Sequence, residues 1–170
     1  MMKVFLILNA AMFFSFSSSG QVLSSTYGIT LNVLLSHSVP EVSVAQVREM
    51  KDVLWLDARE KNEYIVSHIA SAKFVGYDQF NMEELKTIDP NQKIVVYCSV
   101  GYRSEKVAEI IMQGGFKDVS NLYGGIFEWV NQGNTVVNYQ GKVTEDIHAY
   151  SKTWGVWLTK GNKVYDSRID

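Results

Sequence analysis

The chain has 170 residues, 46% of them hydrophobic and 20% charged, with a net charge of −2. That length suffices for one domain with a real core. The mildly acidic balance and the lack of a Lys/Arg cluster argue against a nucleic-acid partner, and a single cysteine excludes an internal disulfide.

The first elements lie at the amino end. A short positive start, Met1-Met2-Lys3, precedes an apolar run of thirteen residues, "VFLILNAAMFFSF", and then "SSSG". This pattern predicts a secretory signal peptide over residues 1–20. The run is shorter than the roughly 20 residues a membrane span needs; the alternative is an uncleaved amino-terminal anchor. No cysteine follows the run, which excludes a lipid-modified start. The expected location is therefore outside the cytoplasm, periplasmic or secreted, with no stable membrane insertion after cleavage.

Residues 21–40 mix Ser and Thr with apolar residues and read as a linker or an amino-terminal cover segment. After Pro40, Ser43 and Gln46 have capping-box spacing, with Val44, Val47 and Met50 on one helical face. Strands are predicted over 52–58, 72–77, 92–97 and 117–122. Helices are predicted over 59–69, 81–88, 104–116 and 124–133, the third closed by Gly114-Gly115 and the fourth by Gly133. Strands alternating with helices at this spacing imply an α/β fold with a parallel sheet and helices on its faces. Chemistry in such sheets lies at the carboxyl ends of the strands. Residues 134–170 form a carboxy-terminal extension. There Tyr150, Trp154, Trp157 and Leu158 fall at helical spacing and predict a helix that docks on the core.

The only cysteine, Cys98, stands where the apolar run Ile94–Tyr97 stops. An unpaired thiol in an exported protein is either reactive or a small buried hydrophobe. The segment after it decides between them. Gly101 permits tight curvature, the backbone N–H groups of Ser99, Val100, Gly101, Tyr102 and Ser104 can converge on the sulfur, and a helix begins nearby. Arg103 adds a cation. Each favours a nucleophilic thiolate in a solvent-open loop.

Cys98-Ser99-Val100-Gly101-Tyr102-Arg103-Ser104 resembles the active-site loop of rhodanese-type sulfurtransferases, C-x-x-G-x-R-S. A second block, "LDAREKNEYIVSHIASA", is similar to the family's D-x-R-x-x-x-E-[FY]-x-x-G-H-I-x-x-A through Asp57, Arg59, Glu63, Tyr64, His68, Ile69 and Ala72. A third, "NLYGGIFEWVNQG", matches L-x-G-G-x-x-x-W through Leu122, Gly124, Gly125 and Trp129. The departures are Ser67 in place of glycine and Ala70-Ser71 in place of Pro-Gly. The resemblance covers residues 41–133.

It implies a five-stranded parallel sheet and a cysteine that accepts a sulfane sulfur from a small-molecule donor such as thiosulfate. The persulfide would then pass to a thiol acceptor or to cyanide. Four residues separate Cys98 from Arg103, whereas the related phosphatases carry five, which argues against a hydrolase. Catalytic roles fall to Cys98 and Arg103, the latter on the anionic donor. Substrate binding falls to Ser99, Val100, Gly101, Tyr102 and Ser104, and support of the loop to Asp57 and Arg59, for which a purely structural ion pair is the alternative. Glu63 and Tyr64 read as helix surface and core, Trp129 as core, and His68 as a packing residue. His37 and His148 lack ligand-spaced companions, so neither a metal nor a cofactor is expected. The competing reading is a non-catalytic module that binds a partner or senses redox state.

Overall fold

The computed structural model describes residues 22–166; the expected signal segment, residues 1–20, lies outside them. Ser24 caps the first helix, α1 (Ser25–Leu34), by accepting the Tyr27 N–H. Tyr27 and Leu31 of α1 are buried, so this segment covers the core rather than linking to it. A two-residue strand, β1 (Glu41–Val42), precedes α2 (Val44–Arg48), whose Ser43–Gln46 capping box is formed. Then follow β2 (Leu54–Asp57), α3 (Lys61–Val66), β3 (Lys73–Phe74) and a 3-10 turn at Met82–Leu85. β4 (Ile94–Tyr97), α4 (Tyr102–Gln113), β5 (Val119–Leu122) and α5 (Gly125–Asn131) complete the alternation.

The five strands form one sheet in the order β1-β5-β4-β2-β3, every pair parallel. β4 is central, and all four of its residues are buried. Its alternating side chains feed two cores, as the period of two along a strand dictates. Val95 and Tyr97 pack with α1, α2 and α5, whereas Ile94 and Val96 pack with Val107, Ala108 and Ile111 of α4. Continuous apolar runs buried on both faces are what a parallel sheet requires.

Two predicted helices are shorter than the sequence suggests. The 59–69 segment is helical only over α3, because Ser67 is fully extended (φ −167°, ψ 156°) and His68 exchanges backbone hydrogen bonds with Val137 at 2.8 and 2.9 Å. The 81–88 segment makes only the 3-10 turn, started by Asn81 accepting the Glu83 N–H.

The carboxy-terminal segment corrects a further expectation. No helix carries Tyr150, Trp154, Trp157 and Leu158. Instead β6 (Val136–Val137) and β7 (Val143–Thr144) form a hairpin, and β8 (Asp146–His148) pairs in parallel with β9 (Asn162–Val164). Tyr150 adopts φ +61°, a conformation that a helix cannot contain, and Gly155–Trp157 makes a single 3-10 turn. The segment docks nonetheless. Leu158 is fully buried, Trp157 stacks on Tyr27 with centroids 5.1 Å apart, and Asn131 Oδ1 accepts the Thr159 N–H at 2.7 Å. Tyr150 is the exception, 49% exposed.

Candidate active site

The residue after β4 is Cys98, at the carboxyl edge of the central strand. The chain turns at Gly101 (φ +122°) and enters α4 at Tyr102, two residues earlier than Ser104. Only glycine takes that φ without strain. The Gly101 N–H donates to Cys98 Sγ at 3.1 Å. The loop is seated from below by α5: the Ile126 N–H donates to the Cys98 carbonyl at 2.9 Å and the Phe127 N–H to the Ser99 carbonyl at 3.2 Å. Gly125 makes this approach possible, since a Cβ there would lie 2.4 Å from the Cys98 carbonyl oxygen.

Ser104 does not cap α4. Its hydroxyl is buried and reaches the Gly101 carbonyl at 3.0 Å and Asn121 Oδ1 at 2.7 Å. Asn121 Nδ2 donates to the same carbonyl at 3.0 Å. The outer half of the loop is therefore tied to β5.

Arg103 is held by Glu63. Its terminal nitrogens donate to Glu63 Oε2 at 2.6 Å and to Oε1 at 2.9 Å, and one also donates to Ser99 Oγ at 3.0 Å. Ser99 Oγ in turn donates to Glu63 Oε1 at 3.0 Å. Glu63 is buried, not at the helix surface where the sequence placed it. Burial pushes its carboxyl up, but the hydrogen bonds and charge of Arg103, with the charge of Arg59, outweigh burial and hold it below the ordinary carboxylate range. On its open side Arg103 lies under the Tyr150 ring, 4.8 Å from its centroid.

Asp57 and Arg59 are both fully buried and paired at 2.6 Å. Arg59 also donates to the Ser67 carbonyl at 2.6 Å, and its guanidinium lies 5.7 Å from the Tyr97 ring centroid. They brace the end of β2 against Tyr97, its register partner on β4. His68 donates through Nδ1 to the Tyr64 carbonyl at 3.0 Å and stacks on the Tyr64 ring, a packing role.

The thiol is not solvent-open. Cys98 is 1% exposed and forms part of the floor of a cleft of about 440 Å³. The cleft is walled by Leu34, Tyr77, Tyr102, Tyr150 and Trp154, with Ser99, Val100 and Arg103 beside the thiol. Gly101 and Ser104, expected to bind substrate, do not line the cleft: Gly101 turns the loop and gives its N–H to the thiol, and Ser104 braces the loop from behind. The signal for Glu63 lay in the second motif block; Asn121 and Tyr150 carried none. Among the described residues no cluster of His, Cys, Asp and Glu is arranged to hold a metal ion.

The Rhodanese-like domain model matches residues 43–132, more than half of the chain. The protein belongs to the rhodanese-like family. Its fold is that of the family's solved members. A thiosulfate sulfurtransferase from Pseudomonas aeruginosa superposes with a TM-score of 0.56 at 20% identity, over 69% of this chain and 23% of that one. The rhodanese-like domain of an Anabaena protein gives 0.55 at 19% identity, over 77% and 94%. Among curated relatives, the tRNA uridine(34) hydroxylase of Hamiltonella defensa is 33% identical over 103 residues, which are 56% of this chain and 29% of that protein. Its Yersinia pestis counterpart is 31% identical over the same length. The chain thus spans under a third of the curated relatives it matches. Leu34, Tyr150 and Trp154 lie outside the matched rhodanese-like region yet wall its cleft.

Proposed function

We propose that the protein is a sulfurtransferase that carries sulfane sulfur as a persulfide on Cys98. The observation that carries this reading is the backbone N–H of Gly101 aimed at Sγ within a loop clamped on both sides, at the floor of a cleft that admits a small molecule. A thiolate there attacks the outer sulfur of the donor. With thiosulfate, the S–S bond breaks, sulfite leaves with the bonding pair, and Cys98 becomes the persulfide. An acceptor thiolate or cyanide then takes the outer sulfur and restores the thiolate, a double displacement. Arg103 and Glu63 hold Ser99 and the near wall of the loop, so that the Gly101 N–H rather than water meets the charged sulfur. Mass spectrometry after incubation with thiosulfate tests this reading. One added sulfur on Cys98, discharged by cyanide as thiocyanate, supports it; a thiol that takes up sulfur from no donor opposes it.

Export is part of the same proposal. It is supported by the apolar run behind Met1-Met2-Lys3. Amino-terminal sequencing should find a start near Gly20 or Gln21; Met1 on protein from a cytosolic fraction would contradict it.

A further inference from the structure

The cleft over Cys98 has a charge pattern unsuited to a dianion. Among the described residues Arg103 is the only cation lining it, and Glu63 engages both of its terminal nitrogens. Two further carboxylates, Glu60 and Asp78, line the same cleft, and no described lysine or second arginine does. The rest of the wall is apolar and largely aromatic: Tyr77, Tyr102, Tyr150 and Trp154, with Leu34. Trp154 and Tyr150 come from the carboxy-terminal segment, where the Tyr150 N–H donates to His148 Nδ1 at 3.2 Å and the ring lies over Arg103. At about 440 Å³ the cleft is in the range of organic-ligand sites and far larger than thiosulfate fills.

Resting on the sulfur-carrier reading above, we infer that Glu60, Asp78 and the aromatic wall select an organic persulfide whose carbon chain bears no negative charge, in preference to dianionic thiosulfate. The aromatic side chains cover the carbon chain, and the carboxylates repel anions and attract a cationic tail. The step balances. Cys98–S⁻ and R–S–SH give Cys98–S–SH and R–S⁻; Cys98 attacks the outer sulfur, the donor's S–S bond breaks as the new one forms, and the leaving thiolate takes the bonding pair.

The test uses two persulfides of similar size and opposite tail charge, those of cysteamine and of 3-mercaptopropionate, with the full chain. The kcat/KM for loading Cys98 should favour the cysteamine persulfide by about tenfold, and that ratio should shrink in high salt. The Glu60→Gln/Asp78→Asn double variant should bring the ratio close to one and raise the relative rate with thiosulfate. Trp154→Ala should raise KM for both persulfides. A wild-type ratio of one, a preference for the anionic tail, or a ratio that the double variant leaves unmoved overturns the selection while leaving the persulfide carrier intact. A Cys98 that loads from none of the donors overturns both.

Discussion

Arg103 and Glu63 meet through two parallel hydrogen bonds, 2.6 and 2.9 Å long, with Ser99 Oγ bridging between them. The pair joins α3 to the start of α4 and so closes the loop that carries Cys98. Its geometry makes Arg103 a part of the loop's frame as much as a cation for a donor.

Arg103→Ala should therefore cost stability as well as turnover, contrary to what a purely donor-binding arginine would show. It strands the Glu63 carboxylate in a buried site, a defect worth about 3–5 kcal/mol. Arg103→Lys keeps the charge but loses the planar fork and should fall between wild type and Arg103→Ala. Chemical denaturation and the rate of sulfur loading check both halves. An Arg103→Ala protein of wild-type stability would contradict the framing role.

Gly125→Ala should displace the loop. The new Cβ would lie 2.4 Å from the Cys98 carbonyl oxygen and 2.6 Å from that of Ser99, and neither backbone atom can swing aside. A shift of about 1 Å in a reacting group can cost on the order of a hundredfold in rate. Gly141→Ala is the matched control: its φ is also positive, +75°, but a Cβ there meets nothing within 4 Å, so it should show only the backbone cost of about 1–2 kcal/mol. Equal loading rates in the two variants would contradict the seating of the loop on α5.

Acid should weaken the fold through two histidines, His148 and His68. His148 accepts the Tyr150 N–H through Nδ1 and donates through Nε2 to the Tyr165 carbonyl at 3.2 Å, so the network fixes the neutral ring. Burial holds its pKa below the ordinary histidine value; Glu63 opposes that shift, while Arg59 and Arg103 reinforce it. His68 is shifted the same way, chiefly by burial. The unfolded chain thus binds these protons more readily. The stability they contribute is whole above about pH 6.5 and is lost as pH falls toward the folded values. Urea midpoints at about pH 7.5 and about pH 5.5 should show the decline, and His148→Gln should flatten part of it. A midpoint that rises on acidification would contradict the assignment.

Leu158→Ala should destabilise by about 2–5 kcal/mol, the cost of a cavity in a packed core. Leu158 is fully buried with Ile147 and Ala149 in the cluster that contains α1 and α5. A change below about 0.5 kcal/mol, the range of ordinary surface substitutions, would mean that the carboxy-terminal segment does not share that core.

The parts of the fold that were legible are those where one physical signal dominates. Ile94–Tyr97 is an apolar run buried on both faces, and Gly101 and Gly125 sit where backbone must turn or come close. β1 was illegible because two residues carry no period, and its pairing with β5 is a property of the sheet. The 134–166 segment misled for a different reason. Tyr150, Trp154, Trp157 and Leu158 have helical spacing, but Tyr150 takes φ +61°, and residues 150–158 pack as a loop with one 3-10 turn between β8 and β9. Within the site, Cys98 and the loop were readable from seven consecutive residues. The Glu63 clamp, the Asn121 tether and the Tyr150 cover depend on contacts 17 to about 50 residues away in sequence, which spacing alone does not reveal.

The most direct measurement is mass spectrometry of wild type and Cys98→Ser after exposure to thiosulfate and to organic persulfides, followed by cyanide. The wild type should gain one sulfur on Cys98 and release it as thiocyanate. Cys98→Ser should gain none, since a hydroxyl forms no persulfide. Full sulfur transfer by Cys98→Ser, or a wild type that takes up sulfur from none of these donors, would contradict the account, and the second result would favour a module that binds a partner instead.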